Sequence, residues 1–524
     1  MTVALNELIE KLGNPGRLQI FVFFLLGFNY FPVVVNSLIM AVYGSRVPFY
    51  CADQGNDEHM SNWTNLTSYN VSDLPCDNET SNQCVCCRSA WVYNTTEVSM
   101  LTEWDLICGN QYLIGLSTSI FFTGTMVGGF LFGFLSDSIG RRPVVLITLY
   151  GQLLNGIAMF FAPDYTLFAV LRFIQGIFLQ GLQTTSHTML MEMFQPGHRT
   201  VVGVSLEIFW GTSYITLAGI WYLIQNWRYI QLAITLPTAV TIVYIWVLPE
   251  SLRWLLLKKK FLKAEKLVKT LVKYNKLDYP EAAMIQVRLQ VVAASDTKTN
   301  SYTVLDLVRT PTIRRRSLIL SFTWFSASLV YVGLSLGATD LAGNKFLNLF
   351  ISGAVEFPAY ISSLIILKRF GRRRPKAAYF FACGLTCIGS GFISKKDTSL
   401  QHLSLALFMF GKYCTAGMYT VLFLFAAELY PTVVRAVGCG ACAIFMKAGG
   451  LVAPLVLRLG SITFTQLPIL IFGGFALVAG GLTLLLPETL NSKLPDKIED
   501  VEIEPPGKTE ETTADKLMET TFST

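Results

Sequence analysis

The chain has 524 residues, 52% of them hydrophobic and only 15% charged, where a soluble domain carries about 25% charged residues. Its mean hydropathy of +0.47 excludes a soluble globular protein and indicates one that crosses a membrane repeatedly. The net charge of +6 sits in short clusters between apolar runs rather than on one basic face, so it does not indicate a nucleic-acid partner.

Twelve apolar runs approach the roughly 20 residues that a spanning helix needs. They lie near 18–43, 112–135, 143–162, 166–191, 201–225, 229–248, 317–338, 346–367, 376–394, 402–427, 436–458 and 464–486. Residues 1–17 form a short amphipathic lead, with Leu5, Leu8, Ile9 and Leu12 on one helical face. No cleavable signal peptide is expected before the first run. That run carries the polar residues Asn29, Tyr30 and Asn36. Residues 44–111 form one long loop with sequons at Asn62, Asn65, Asn70, Asn78 and Asn94. It also holds six of the eleven cysteines: Cys51, Cys76, Cys84, Cys86, Cys87 and Cys108. Both features predict an extracellular, glycosylated cap held by disulfides whose pairing stays open.

Between the second and third runs stands Gly133-Phe-Leu-Ser-Asp137-Ser-Ile-Gly140-Arg141-Arg142. Gly140 allows a tight turn, Asp137 is placed to hold an arginine or a helix N-terminus, and Arg141 and Arg142 mark this surface as cytoplasmic. The fourth run opens with Arg172 and ends at Glu192, with Arg199 just beyond. The further clusters Lys258–Lys260, Arg314–Arg316 and Arg372–Arg374 fall on the same side if twelve spans alternate, which places both termini in the cytosol. The chain therefore divides into a cytoplasmic lead (1–17), a first six-helix bundle including the cap (18–248), a cytoplasmic linker (249–316), a second bundle (317–490) and a disordered acidic tail (491–524). The halves repeat at an offset of about 235 residues: Glu192 and Arg199 echo Glu428 and Arg435, Glu250 echoes Glu488, and Arg141 echoes Arg372. Paired bundles of this kind suit alternating access to a midplane site. Lys368 stands where Asp137 stands in the first copy, which predicts a weaker cytoplasmic charge lock in the second half.

The pattern G-x-x-x-D-x-x-G-R-R resembles the loop between the second and third helices of major facilitator superfamily transporters. Pro249-Glu250-Ser-Leu-Arg-Trp254, Glu428-Leu-Tyr-Pro-Thr-Val-Val-Arg435, Trp324 with Tyr331, and Gly353-Ala-Val-Glu356-Phe-Pro358 are similar to the organic cation, anion and zwitterion branch of that superfamily. The stretch Asp340 to Glu356 looks most like its carnitine-transporting members. The resemblance covers essentially residues 1–490. It implies an all-α membrane protein with twelve transmembrane helices in two six-helix pseudo-repeats. It also implies a gating set of Asp137, Arg141, Arg142, Arg172, Glu192, Arg199, Glu250, Glu428, Arg435 and Arg372.

The selectivity signal lies at Phe445-Met446-Lys447-Ala-Gly449-Gly450. Cation transporters of the resembled family carry an aspartate near this point, and anion and carnitine transporters an arginine. Lys447 is read as the one cation well inside a late run. A lone membrane ammonium normally faces a wet cavity or a partner. Either it meets a substrate carboxylate while Glu207 or aromatic side chains meet a cationic end, or it forms a structural pair with Glu207 or Glu356. Tyr30, Trp210, Trp324 and Tyr331 offer aromatic faces for a cationic end, with Asn29 beside them. Trp324 and Tyr331, seven apart, share a helical face.

Neither a phosphate-binding loop nor a hydrolase motif is present, and His59, His187, His198 and His402 show no metal-ligand spacing. The chain is therefore expected to be no enzyme and to need no cofactor. The expected function is polyspecific organic-ion transport at the plasma membrane, with carnitine-like zwitterions or organic ions as substrates. A sodium or proton gradient is the expected coupling, and lipid the surroundings. An organic cation uniporter, an organic anion exchanger and a non-transporting receptor are the alternatives.

Overall fold

In a computed structural model, the described residues are 2–13, 15–45, 47, 49–51, 91–93, 97–294, 303–341, 343–393, 398–490, 495 and 498–503. The five sequons and Cys76, Cys84, Cys86 and Cys87 lie outside them, as does most of the tail, and Cys51 and Cys108 are described in backbone alone.

The first bundle comprises α1 (Arg17–Tyr43), α2 (Tyr112–Ile139), α3 (Arg141–Phe160), α4 (Tyr165–Met193), α5 (Pro196–Leu223) and α6 (Trp227–Val247). The second comprises α7 (Pro311–Gly337), α8 (Lys345–Leu367), α9 (Arg373–Phe392), α10 (Thr398–Leu429), α11 (Arg435–Ile462) and α12 (Leu467–Thr483). Among the described residues ten helices are long and apolar enough to cross a membrane. The runs near 376–394 and 464–486 fold as α9, whose first turn is cationic, and as α12, which has 17 residues.

Breaks fall where the sequence demands them. A 3₁₀ stretch, Leu236–Val243, interrupts α6 at Pro237, which has no N–H to give to the preceding turn. The break in α8 at Val355 lies just before Glu356 and Pro358. Elsewhere the helices approach closely because side chains are missing. A Cβ on Gly124 would lie 2.1 Å from the Phe173 carbonyl of α4, and one on Gly449 2.2 Å from the Phe325 carbonyl of α7. Small residues are the usual means of close contact in lipid, where apolar surface alone gives no drive to associate.

The two membrane faces differ. On one, strands β1 (Phe49–Cys51) and β2 (Trp91–Tyr93) pair antiparallel at the base of the 44–111 loop; this is the cap side. On the other, the linker helices Leu252–Leu257, Phe261–Asn275 and Glu281–Ala294 lie beneath the first bundle; this is the linker side. The N-terminal helix Thr2–Lys11 buries Leu5, Leu8 and Ile9 there, with Leu12 just beyond it. Asn275 fastens it, giving a hydrogen bond to the Leu12 carbonyl (2.8 Å) and accepting one from the Leu18 amide (3.2 Å).

The main contacts between the bundles are made by α2 with α11 and by α5 with α8, toward the cap side. Ser119 donates to the Leu451 carbonyl at 2.8 Å, and Trp221 lies 4.6 Å from Phe346 between ring centroids. Lys345 reaches Glu97 at 2.5 Å, and Arg458 lies over the Tyr112 ring at 4.9 Å.

Candidate functional site

On the linker side each bundle carries the same charge station. Arg141 grips Glu192 with its Nε (3.1 Å) and Nη2 (2.9 Å), and Arg372 holds Glu428 with its Nε (3.0 Å) and Nη2 (3.1 Å). Glu250 accepts from the amides of Arg141 (3.0 Å) and Arg142 (3.2 Å), and so caps the start of α3. Glu488 does the same for Arg372 (2.8 Å) and Arg373 (3.0 Å) at the start of α9. A carboxylate at a helix N-terminus satisfies orphan N–H groups and opposes the helix dipole. The turns that permit this need positive φ, and Gly140 (+117°) and Gly371 (+83°) supply it. Arg199 donates through Nε to the Phe194 carbonyl (3.1 Å), as Arg435 does to that of Tyr430 (3.4 Å). Asp137, 77% exposed, adds a 2.9 Å pair to Arg141. Each station is internal to its bundle.

Arg172 does not join this set. It is fully buried, about 10 Å from the cap-side end of α4. Its Nη1 gives to the Asn36 carbonyl (3.0 Å) and to Gln175 Oε1 (2.6 Å).

The midplane residues separate into two groups. The first is a network centred on the second bundle. Lys412 of α10 and Glu356 of α8, both with no exposed side chain, lie 3.1 Å apart. Tyr331 of α7 donates to Glu356 at 2.8 Å and Tyr360 does so at 2.9 Å. Lys412 also gives to Ser335 Oγ (2.6 Å) and sits 3.4 Å over the Tyr331 ring. Trp210 of α5 crosses from the first bundle and donates to the Tyr331 hydroxyl at 2.7 Å. Glu356 is therefore Lys412's partner, which corrects the expected Lys447–Glu356 pair. Nor is Lys447 the one cation within the late spans. Lys412 and Lys376 are both completely buried, Lys376 giving to Thr323 Oγ1 at 3.1 Å.

The second group is Glu207 and Lys447. Both are half-buried, and among the described residues neither has an ion-pair partner. Each lies about 17 Å in from the linker-side end of its helix. Residues three and four apart share a helical face. Trp210 and Gly211, one turn beyond Glu207, meet Tyr331 and Phe357 of the second bundle. Gly450 and Leu451, one turn beyond Lys447, meet Phe122 and Ser119 of the first. Both charges thus face the gap between bundles, just on the linker side of their contacts. Tyr30 is buried in α1. Asn29 donates to Ser186 Oγ at 3.0 Å inside the first bundle. Trp324 of α7 is buried, its ring packed on Phe423 of α10 at 4.6 Å between centroids.

Comparison with known proteins fits this geometry. Residues 23–499 match the family model described as "Sugar (and other) transporter". The chain is 37% identical to an organic cation transporter protein of Drosophila melanogaster, covering 80% of this chain and 77% of that one. It is 35% identical to human solute carrier family 22 member 2 (79% and 74% covered) and 32% identical to Xenopus laevis solute carrier family 22 member 6-A (95% and 93% covered). The chain belongs to the solute carrier 22 family of the major facilitator superfamily. Its fold is that of the inward-open xylose transporter XylE from E. coli, at a TM-score of 0.65 and 14% identity over 92% of this chain and 99% of that one. As a solute carrier 22 protein it is a membrane transporter of organic ions and not an enzyme.

Two features of this solute carrier escaped the sequence reading. Lys412 was visible as a lysine inside the apolar run 402–427, but its partner lies 56 positions earlier in the chain. The Trp210–Tyr331 bond joins different bundles, and no local pattern announces it.

Proposed function

We propose that this transporter works by alternating access at the plasma membrane, with both termini cytoplasmic, and prefers carnitine-like zwitterions. One observation carries the reading: Glu207 and Lys447 are opposite charges without an ion-pair partner among the described residues, at equal depth, on facing walls of the inter-bundle gap. A charge in that setting calls for a counter-ion. Lys447 would receive a substrate carboxylate, while Glu207 with Tyr30 and Trp210 would receive a quaternary ammonium, which aromatic faces hold without full desolvation of a countercharge. The charge stations would brace the cytoplasmic helix ends while the bundles rock, and an inward sodium or proton gradient would drive uphill uptake.

The test is an uptake panel in cells: carnitine, tetraethylammonium and an aromatic carboxylate, each with and without sodium. Lys447→Ala should weaken carnitine and the carboxylate roughly ten- to a hundred-fold and leave tetraethylammonium nearly unchanged, since a charge-assisted hydrogen bond contributes about 1.5–3 kcal/mol. Lys447→Asp should shift preference toward tetraethylammonium. Equal loss for all three substrates would overturn the carboxylate role. The relatives named for organic cations favour a second reading in which Glu207 alone selects; tetraethylammonium uptake without carnitine uptake would establish that one.

A further inference from the structure

Arg172 lies in the interior of the first bundle and, among the described residues, is the arginine there with no exposed surface. Among the described residues no carboxylate lies within ion-pair distance of it. Its contacts are neutral: the Asn36 carbonyl, Gln175, and the ring of Phe121, whose centroid is 4.5 Å from the guanidinium carbon. Gln175 is itself held by Asn36 Oδ1 at 2.6 Å. Nη1 is the atom bound to the chain; Nε and Nη2 are buried and have no acceptor among the described residues.

Those two atoms form the edge of a guanidinium whose N–H bonds run parallel, the geometry that takes a carboxylate in two-pronged fashion. The same chain uses this edge twice elsewhere, on Glu192 through Arg141 and on Glu428 through Arg372. An arginine cannot shed its proton in a protein, so burial without a counter-ion is costly. Water could satisfy the N–H groups but would leave the charge uncompensated.

We propose that Arg172 is an anion site within the first bundle, distinct from Lys447, and that its Nε/Nη2 edge takes a small monovalent anion able to accept two parallel N–H bonds. A free ion such as chloride or formate meets this description, and so does the carboxylate end of a small substrate. Access lies on the cap side. Phe121, which covers the guanidinium, touches Phe122 at 5.5 Å between centroids, and Phe122 fills the notch at Gly450 of α11. Parting of α2 from α11 frees Phe122 and with it the covering ring.

The full-length protein, purified in lipid nanodiscs, is heated in sodium chloride, sodium formate or sodium gluconate at equal ionic strength, with and without carnitine. Chloride and formate should raise Tm over bulky gluconate by roughly 3–5 °C. Arg172→Gln should remove that difference. Asn36→Asp sets a carboxylate of the chain beside the guanidinium, so it should also remove the difference and be more stable in gluconate than the unaltered chain. It carries the test if Arg172→Gln does not fold. Lys447→Ala should keep the chloride response, which separates this site from the substrate reading above. A response to carnitine alone, lost in Arg172→Gln, would identify the anion as the substrate's carboxylate. No Arg172-dependent response to chloride, formate or carnitine, or an undiminished chloride response in Asn36→Asp, would overturn the proposal.

Discussion

Lys412 and Glu356 neutralise each other where no water reaches, so each is stable only in the presence of the other. Removing one member of such a pair typically costs about 3–5 kcal/mol, because the survivor is left buried and charged. Lys412→Ala should therefore lower the melting temperature of the purified protein sharply. Lys412→Met combined with Glu356→Gln should recover most of it, whereas an unrecovered double variant would show that Lys412 has a different task. Asp137 sits at the other extreme. Its pair with Arg141 is mostly exposed, and such pairs contribute about 0–1 kcal/mol. Asp137→Asn should leave thermal stability within a degree or two. Any change in uptake rate at equal surface expression would then report on the conformational cycle. Lys447 was legible in the sequence because a lysine inside an apolar run is conspicuous. The Lys412–Glu356 pair was not, because only the packing of α8 against α10 decides that Glu356 faces Lys412.

At the scale of the helices, contact depends on missing atoms. Gly124 and Gly128 of α2 have α4 carbonyls where a side chain would go, at 2.1 and 2.3 Å from an added Cβ. Gly133, on the same helix, has nothing within 4 Å. Gly124→Leu should thus abolish expression of folded protein, while Gly133→Ala should be neutral or slightly stabilising, as a better helix former on an open face. Size-exclusion profiles of the two variants decide the matter; a well-folded Gly124→Leu would mean that α2 and α4 can separate. Element positions were largely readable from hydropathy, since each span must satisfy its own backbone in lipid. Ends were not. The expected start of α9 at 376 falls at Arg373 because Glu488, far away in sequence, caps those amides.

For the whole molecule, the arrangement of contacts defines one conformation: shut toward the cap, with the main inter-bundle contacts away from the linker side. A Cβ on Gly115 would lie 3.4 Å from Pro454 Cβ, across the junction of α2 and α11. That separation lies close to disulfide range. Gly115→Cys with Pro454→Cys should form a bond that stops uptake, with reduction restoring it. Uptake that persists after complete cross-linking would mean this junction does not open during transport.

The duplicated stations at Arg141 and Arg372 have a consequence for how a substrate is held. A rotation that superposes the halves carries α2 onto α8 and α11 onto α5. The contact of α2 with α11 is then the same as that of α8 with α5, viewed from its other end. The chain is in effect a fused dimer with an isologous interface, in which each patch meets its own copy. A strictly twofold cavity could not tell one end of a ligand from the other. At the offset relating Arg199 to Arg435, Glu207 corresponds to Ala443 and Lys447 to Gly211. Both copies lost twofold equivalence at the two charged positions facing the gap, and lost it with opposite sign. If Glu207 and Lys447 hold the substrate as proposed, polarity at that site is a broken symmetry, and it would fix the direction in which an asymmetric ion lies before the bundles close on it.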